Sequence, residues 1–130
     1  MQASTELRNV FHAWFRSVAA GDASWVERHV SRRSGVRLVG IEPAEWLEGP
    51  EVAGYLKGGA AGLGGVVQVA PGEIEAYSEG TVGWGLACPI LTLSSGRQLS
   101  PRWSAVFHQE DGAWKLVQFH ASLGMANEVL

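Results

Sequence analysis

The 130-residue chain is 46% apolar and 18% charged, and its size suits one domain with one core over residues 1–130. Its formal net charge is −3 with scattered Lys and Arg, which argues against nucleic acid, since phosphate backbones are bound by many cations gathered on one face. The single cysteine, Cys88, excludes an intrachain disulfide and a multi-cysteine metal cage, and the lack of a signal segment or an 18-residue apolar run leads us to expect a cytoplasmic protein with no membrane partner.

The first pattern is helical. Leu7, Val10, Phe11, Trp14, Phe15 and Val18 form one apolar stripe at i, i+3, i+4, i+7, i+8 and i+11. Ser4 is placed to cap its start, Glu6 stands in the first turn, and Gly21 ends it. Asp22 is read as the N-cap of a second helix carrying Trp25, Val26, His29 and Val30 inward. The densest basic stretch, Arg28 to Arg37, is read as a solvated helix end. Ser34-Gly35 breaks the pattern, and Val36 to Ile41 reads as a short strand that Glu42-Pro43 ends. Ala44 to Glu48 is expected to make a turn of helix. Gly49-Pro50 opens another helix, with Val52, Tyr55 and Leu56 facing inward. The glycine-rich run Gly58 to Gly65 lacks the Gly-Lys-Ser/Thr entry of a phosphate cradle, so it is read as a connector or pocket rim.

From Val66 the period becomes two. Val66 to Val69 and Ile74 to Tyr77 read as strand pieces, and Val82 to Leu93 as a long strand broken by Cys88-Pro89. Leu99 to Gln109 and Ala113 to about Leu123 follow, joined by Asp111-Gly112, a strong hairpin signal. Helices at the front followed by a meander of hairpin strands predict an α+β fold. Six tryptophans with 17 glycines suit bulky walls on a strongly curved antiparallel sheet, with Pro89, Gly83 and Gly85 as expected bulge points. A bulge near Asp111-Gly112 would place Trp103, Ala105, Phe107, Val117, Phe119 and Ala121 together on the concave face.

The order helix, Gly-Asp, helix, strand, short helix and meander resembles the SnoaL-like branch of the NTF2-like, or cone-fold, superfamily. Three segments carry the resemblance: Ala20-Gly21-Asp22, the stretch from Ile41-Glu42-Pro43-Ala44-Glu45-Trp46 to Gly49, and Arg102 to Ser122 with Trp114, His120 and Ser122. The resemblance implies N-terminal helices packed on a curved sheet around a pocket, with pairing through the convex sheet face as a homodimer. It implies no single activity, because the superfamily includes isomerases, cyclases, dehydratases, transport factors and oligomerisation domains. The ketosteroid isomerases of this fold use a carboxylate base with a Tyr and a protonated Asp as oxyanion donors. Trp14 stands at the position resembling their tyrosine, and no Asp or Glu occurs between Leu86 and Gln109.

Glu45 and Glu42 are therefore the candidate general bases, with helix capping or pairing to an arginine as the structural alternative. Trp14, Trp46, Tyr55, Trp103, Phe107 and Phe119 are the candidate walls for a small hydrophobic molecule. Arg102 is read either as a clamp for a ligand carboxylate or as a partner of Glu45. His120 is read as a ligand contact or as part of an interface row with Gln118 and Ser122. His12, His29, His108 and His120 lack metal-ligand spacing, so neither metal nor cofactor is expected, and Cys88 reads as an inert thiol. Two functions follow as expectations: a small-molecule-binding protein, with isomerase- or cyclase-type turnover as an extension, or a non-catalytic dimerisation or accessory domain.

Overall fold

A computed structural model describes residues 1–64 and 67–129. Its elements in chain order are β1 (Gln2–Ala3), α1 (Thr5–Ala20), α2 (Ser24–His29), β2 (Arg37–Val39), β3 (Trp46–Glu48), α3 (Pro50–Leu63), β4 (Val67–Ala70), β5 (Ile74–Glu79), β6 (Val82–Ala87), β7 (Ile90–Leu93), β8 (Gln98–Leu99), β9 (Arg102–Glu110) and β10 (Ala113–Ser122). Seven strands form one sheet in the order β1-β5-β6-β9-β10-β2-β3, and β4-β7-β8 form a second. All pairs are antiparallel except β2 with β10. This is the predicted α+β architecture, with helices on one face of a largely antiparallel sheet.

Helix α1 forms as its stripe demands. The Ser4 hydroxyl accepts from the Leu7 N–H at 3.1 Å, and Gly21 closes the helix at φ 69°. Leu7, Phe11, Trp14, Phe15 and Val18 are all buried against the sheet. Asp22 serves α2 from one position earlier than expected: its carboxylate accepts from the Ser24 N–H and hydroxyl, both at 2.9 Å, while Ala23 is the N-cap.

Gly83 and Gly85 do not mark bulges, since the β5–β6 register runs unbroken from Ile74↔Ala87 to Glu79↔Val82. They seat α1 instead. A Cβ on Gly83 would lie 2.7 Å from Leu7 Cδ2, and one on Gly85 would lie 2.3 Å from Phe11 Cε2. We therefore expect Gly85→Ala to lower stability by about 1–3 kcal/mol through overpacking, seen as a lower denaturant midpoint at unchanged slope. An unchanged midpoint would show that the ring can move aside at no cost.

Three other expectations are corrected. Trp46–Glu48 is a strand, not a helical turn, because it pairs with Arg37–Val39 of β2. Helix α3 runs through Gly58, Gly59 and Gly62 rather than ending before them, while Gly65 lies outside the described residues. The stretch Val82 to Leu93 does break at Cys88-Pro89, but its halves join different sheets, as Pro89 cannot continue a ladder. Asp111-Gly112 makes the expected two-residue hairpin with both φ positive, 53° and 79°. The β9–β10 bulge falls at Val117, where the register passes from Leu116↔Phe107 to Gln118↔Val106. Trp114 and Leu116 are thus inward before it, and Phe119 and Ala121 inward after it.

Candidate functional site

The inward side chains do not fill the space between α1, α3 and the sheet. They leave a cavity of about 230 Å³. Trp14, Phe15 and Val18 of α1 form one wall, and Tyr55, Leu56, Gly59 and Ala60 of α3 form another. The sheet contributes Leu38, Trp103, Phe119 and Ala121, while Val69 and Leu91 of the small sheet cover the remaining side with Pro101. The rings here pack on one another: Trp14 lies 4.8 Å from Trp103 and 5.0 Å from Phe119, and stacks on buried Trp25 at 4.4 Å. Tilted and edge-on arrangements of this kind hold aromatic walls in place.

Among the described residues one charged group enters this apolar space. Glu45 sits on the loop between β2 and β3, where the Gly40 N–H donates to the Glu45 carbonyl at 2.7 Å and the Glu45 N–H donates to the Glu42 carbonyl at 2.9 Å. That tight loop folds the Glu45 side chain back over Gly40, where an added Cβ would lie 2.5 Å from Oε1 and 2.6 Å from Glu45 Cβ. Only glycine leaves room at position 40. Glu45 Oε1 accepts from the Glu42 backbone N–H at 2.9 Å, and Oε2 accepts from the Tyr55 hydroxyl. Desolvation first, then the hydrogen bond to Glu45 and the charges of Glu45 and Glu42, push the Tyr55 hydroxyl up to about 12. Tyr55 therefore keeps its proton and directs it at Glu45. Among the described residues Glu45 has no salt-bridge partner.

The family model for the SnoaL-like domain matches residues 7–126. The chain belongs to the SnoaL-like domain family. No curated protein matches it. An NTF2-like protein of unknown function from Pseudomonas putida KT2440 is similar over 96% of this chain and 89% of its own, with TM-score 0.79 and 12% identity. A candidate ketosteroid isomerase from Shewanella frigidimarina is similar over 88% and 92%, with TM-score 0.71 and 18% identity. The association domain of CaMKII from C. elegans is similar over 90% and 92%, with TM-score 0.69 and 16% identity. At these identities the likenesses show the NTF2-like fold alone.

In this SnoaL-like domain the cavity brings together Glu45, Trp14, Tyr55, Trp103 and Phe119 of the residues singled out from sequence. The others lie elsewhere. Phe107 is fully buried but packs edge-on against Phe11 at 5.5 Å, beneath α1 and outside the cavity. Trp46 is 67% exposed on the outer sheet face, with the Arg37 guanidinium 5.7 Å from its ring centre. Glu42 is exposed and contributes its backbone N–H, not its carboxylate. Arg102 reaches Ser122 Oγ at 3.3 Å rather than Glu45. It shares an outer groove with His120, Ser104 and Cys88, on the far side of the sheet from the cavity.

Gly40, Leu38, Val69, Leu91 and Pro101 were not expected at the site. Among the described residues no group of three or more His, Cys, Asp or Glu could hold a metal, and no helix is long and apolar enough to cross a membrane.

Proposed function

We propose that this chain binds a small, largely apolar molecule between α1, α3 and the sheet, with Glu45 as the residue that meets the ligand's polar end. One observation carries the reading: the carboxylate is fixed at the mouth of an aromatic cavity from two sides, by the Glu42 N–H and the Tyr55 hydroxyl. A side chain preorganised in this way loses little freedom on binding. Binding without turnover is the better-supported form. An isomerase would need donors for a developing oxyanion, and among the described residues the one hydroxyl lining the cavity already gives its proton to Glu45.

Thermal-shift screening of flat apolar compounds, with and without one polar end, tests this directly. A ligand at a hundred times its Kd should add about 2.7 kcal/mol, a rise of several degrees, and Glu45→Gln should shrink that rise for compounds whose polar end meets the carboxylate. The absence of a shift with every compound tried would count decisively against a binder.

A second reading, self-association through the outer sheet face, has its own support. The residues of β6 that alternate with Gly83 and Gly85 point away from α1, and two of them, Val82 and Leu86, are 45% and 40% exposed. Between them Trp84 packs against Tyr77 of β5, ring centres 4.8 Å apart and planes tilted by 33°. Glu75 and Glu79 stand on the β5 side of this face, and Arg37 and Lys115 on the β10–β2 side. Two copies related by a two-fold axis can set acid against base while burying the apolar middle. Sedimentation should report a dimer for the wild type and a monomer for Trp84→Glu. A wild type that stays monomeric at high micromolar concentration would remove this reading.

A further inference from the structure

We propose that the cavity's ligand is an organic cation, an amine carried on a flat apolar body of about two fused rings. The inference rests on the reading that the cavity binds a small molecule, and it specifies the class.

Size sets the body. An engineered cavity of about 150 Å³ in another protein holds benzene, so the 230 Å³ here suits a bicyclic ring rather than a single one or a steroid. The walls suit a flat ring as well. Trp103 stands at 37° to Trp14 and 87° to Phe119, so the cluster offers both ring faces and ring edges.

Charge sets the polar end. Among the described residues lining the cavity there is one carboxylate, Glu45, and no Lys, Arg or His. Glu45 itself has no cationic partner among the described residues. A ligand seated at the mouth displaces the water around this half-exposed side chain. A carboxylate or phosphate on the ligand would then face a like charge with little screening. A hydrocarbon would strip water from an anion and offer nothing in return.

An ammonium group answers both costs. A carboxylate offers about four acceptor positions, and only two are used here, by Glu42 and Tyr55. The remaining lone pairs accept the ammonium protons in a charge-assisted bond. Tyr55 cannot turn its proton toward a ligand carbonyl without giving up Glu45, so at the Glu45 corner the site presents acceptors to an incoming polar group.

Calorimetric titration of the full chain at neutral pH and low salt, with three probes sharing one ring system, tests the assignment. Tryptamine carries a cation, 3-methylindole no charge, and indole-3-acetate an anion. Tryptamine should bind about tenfold or more tightly than 3-methylindole, with indole-3-acetate weakest. In Glu45→Gln that preference should vanish, with tryptamine weakened about tenfold and 3-methylindole bound at least as tightly as in the wild type. The wild-type ranking is decisive even where the variant folds poorly. Indole-3-acetate binding as well as tryptamine, or an equal affinity for all three, overturns the cation assignment while leaving the cavity as a binding site. If 3-methylindole and both charged probes fail to bind, the binding reading falls and this inference with it.

Discussion

Trp14→Ala is expected to cost about 3–5 kcal/mol, the usual range for truncating a buried aromatic side chain. Trp14 is 2% exposed and touches five rings: Phe11, Phe15, Trp25, Trp103 and Phe119. Those rings come from α1, α2, β9 and β10, so the indole joins four elements at one point. Its neighbours cannot collapse into the void, because Trp25 is held by a hydrogen bond from Nε1 to the Val10 carbonyl at 3.0 Å. A domain has about 5–15 kcal/mol of stability in total, so the variant should melt roughly 10–20 °C lower. Trp14 also lines the cavity, and its removal joins the new void to the old one. Added indole should therefore recover part of the lost melting temperature, as apolar voids bind apolar guests. A loss under about 1 kcal/mol, or no recovery with indole, would show that this cluster is not the hub of the core.

The parts of the fold that sequence makes legible are those set by near neighbours in the chain. The α1 stripe, the Ser4 cap, the Gly21 stop and the Asp111-Gly112 turn are all local signals, and the structure keeps each of them. Ala44 to Glu48 was misread because its strand character comes from pairing with Arg37–Val39 rather than from its own composition. The glycines of α3 misled for the opposite reason. Glycine costs a helix about 1 kcal/mol each, yet Val52, Ala53, Leu56 and Ala60 bury one face of α3, and that burial outweighs the propensity.

The site was legible to the extent that side-chain parity was. Tyr55 follows from the helical spacing of α3, and Glu45 from the resemblance of its segment to the one that carries the isomerases' base. Trp46 fell on the wrong face because alternation in β3 turns it outward while Leu47 turns in. Arg102 and His120 share the outward parity of Ser104 and Ser122 across the β9–β10 ladder, which puts them behind the wall that Trp103 and Phe119 form. For His120 the bulge at Val117 decides this; the expected bulge lay nearer Asp111-Gly112, and the position of a one-residue irregularity leaves no mark in composition. Gly40 had the weakest signal of all: its role depends on where the Glu45 carboxylate comes to rest.

Gly64→Ala should destabilise the protein by about 3 kcal/mol, whereas Gly62→Ala, two residues earlier, should stabilise it by about 1 kcal/mol. A Cβ on Gly64 would lie 2.2 Å from Gly21 Cα and 2.5 Å from Gly21 N, both backbone atoms with no rotamer to yield. Gly21 cannot retreat, since its φ of 69° closes α1 and the following Asp22 N–H donates to the Ser17 carbonyl at 2.9 Å. Strain is then relieved only by moving the end of α3 away from the end of α1. A Cβ on Gly62 would meet nothing within 4 Å, so alanine there brings its helix preference at no steric cost. The separation forced at Gly64 acts on the cavity, because Val18 near the end of α1 and Ala60 near the end of α3 both line it. Chemical denaturation should therefore give shifts of opposite sign for the two variants, and ligand affinity should fall for Gly64→Ala alone. Equal shifts would mean that the α1–α3 contact is loose in solution and that the cavity walls are not braced at this point.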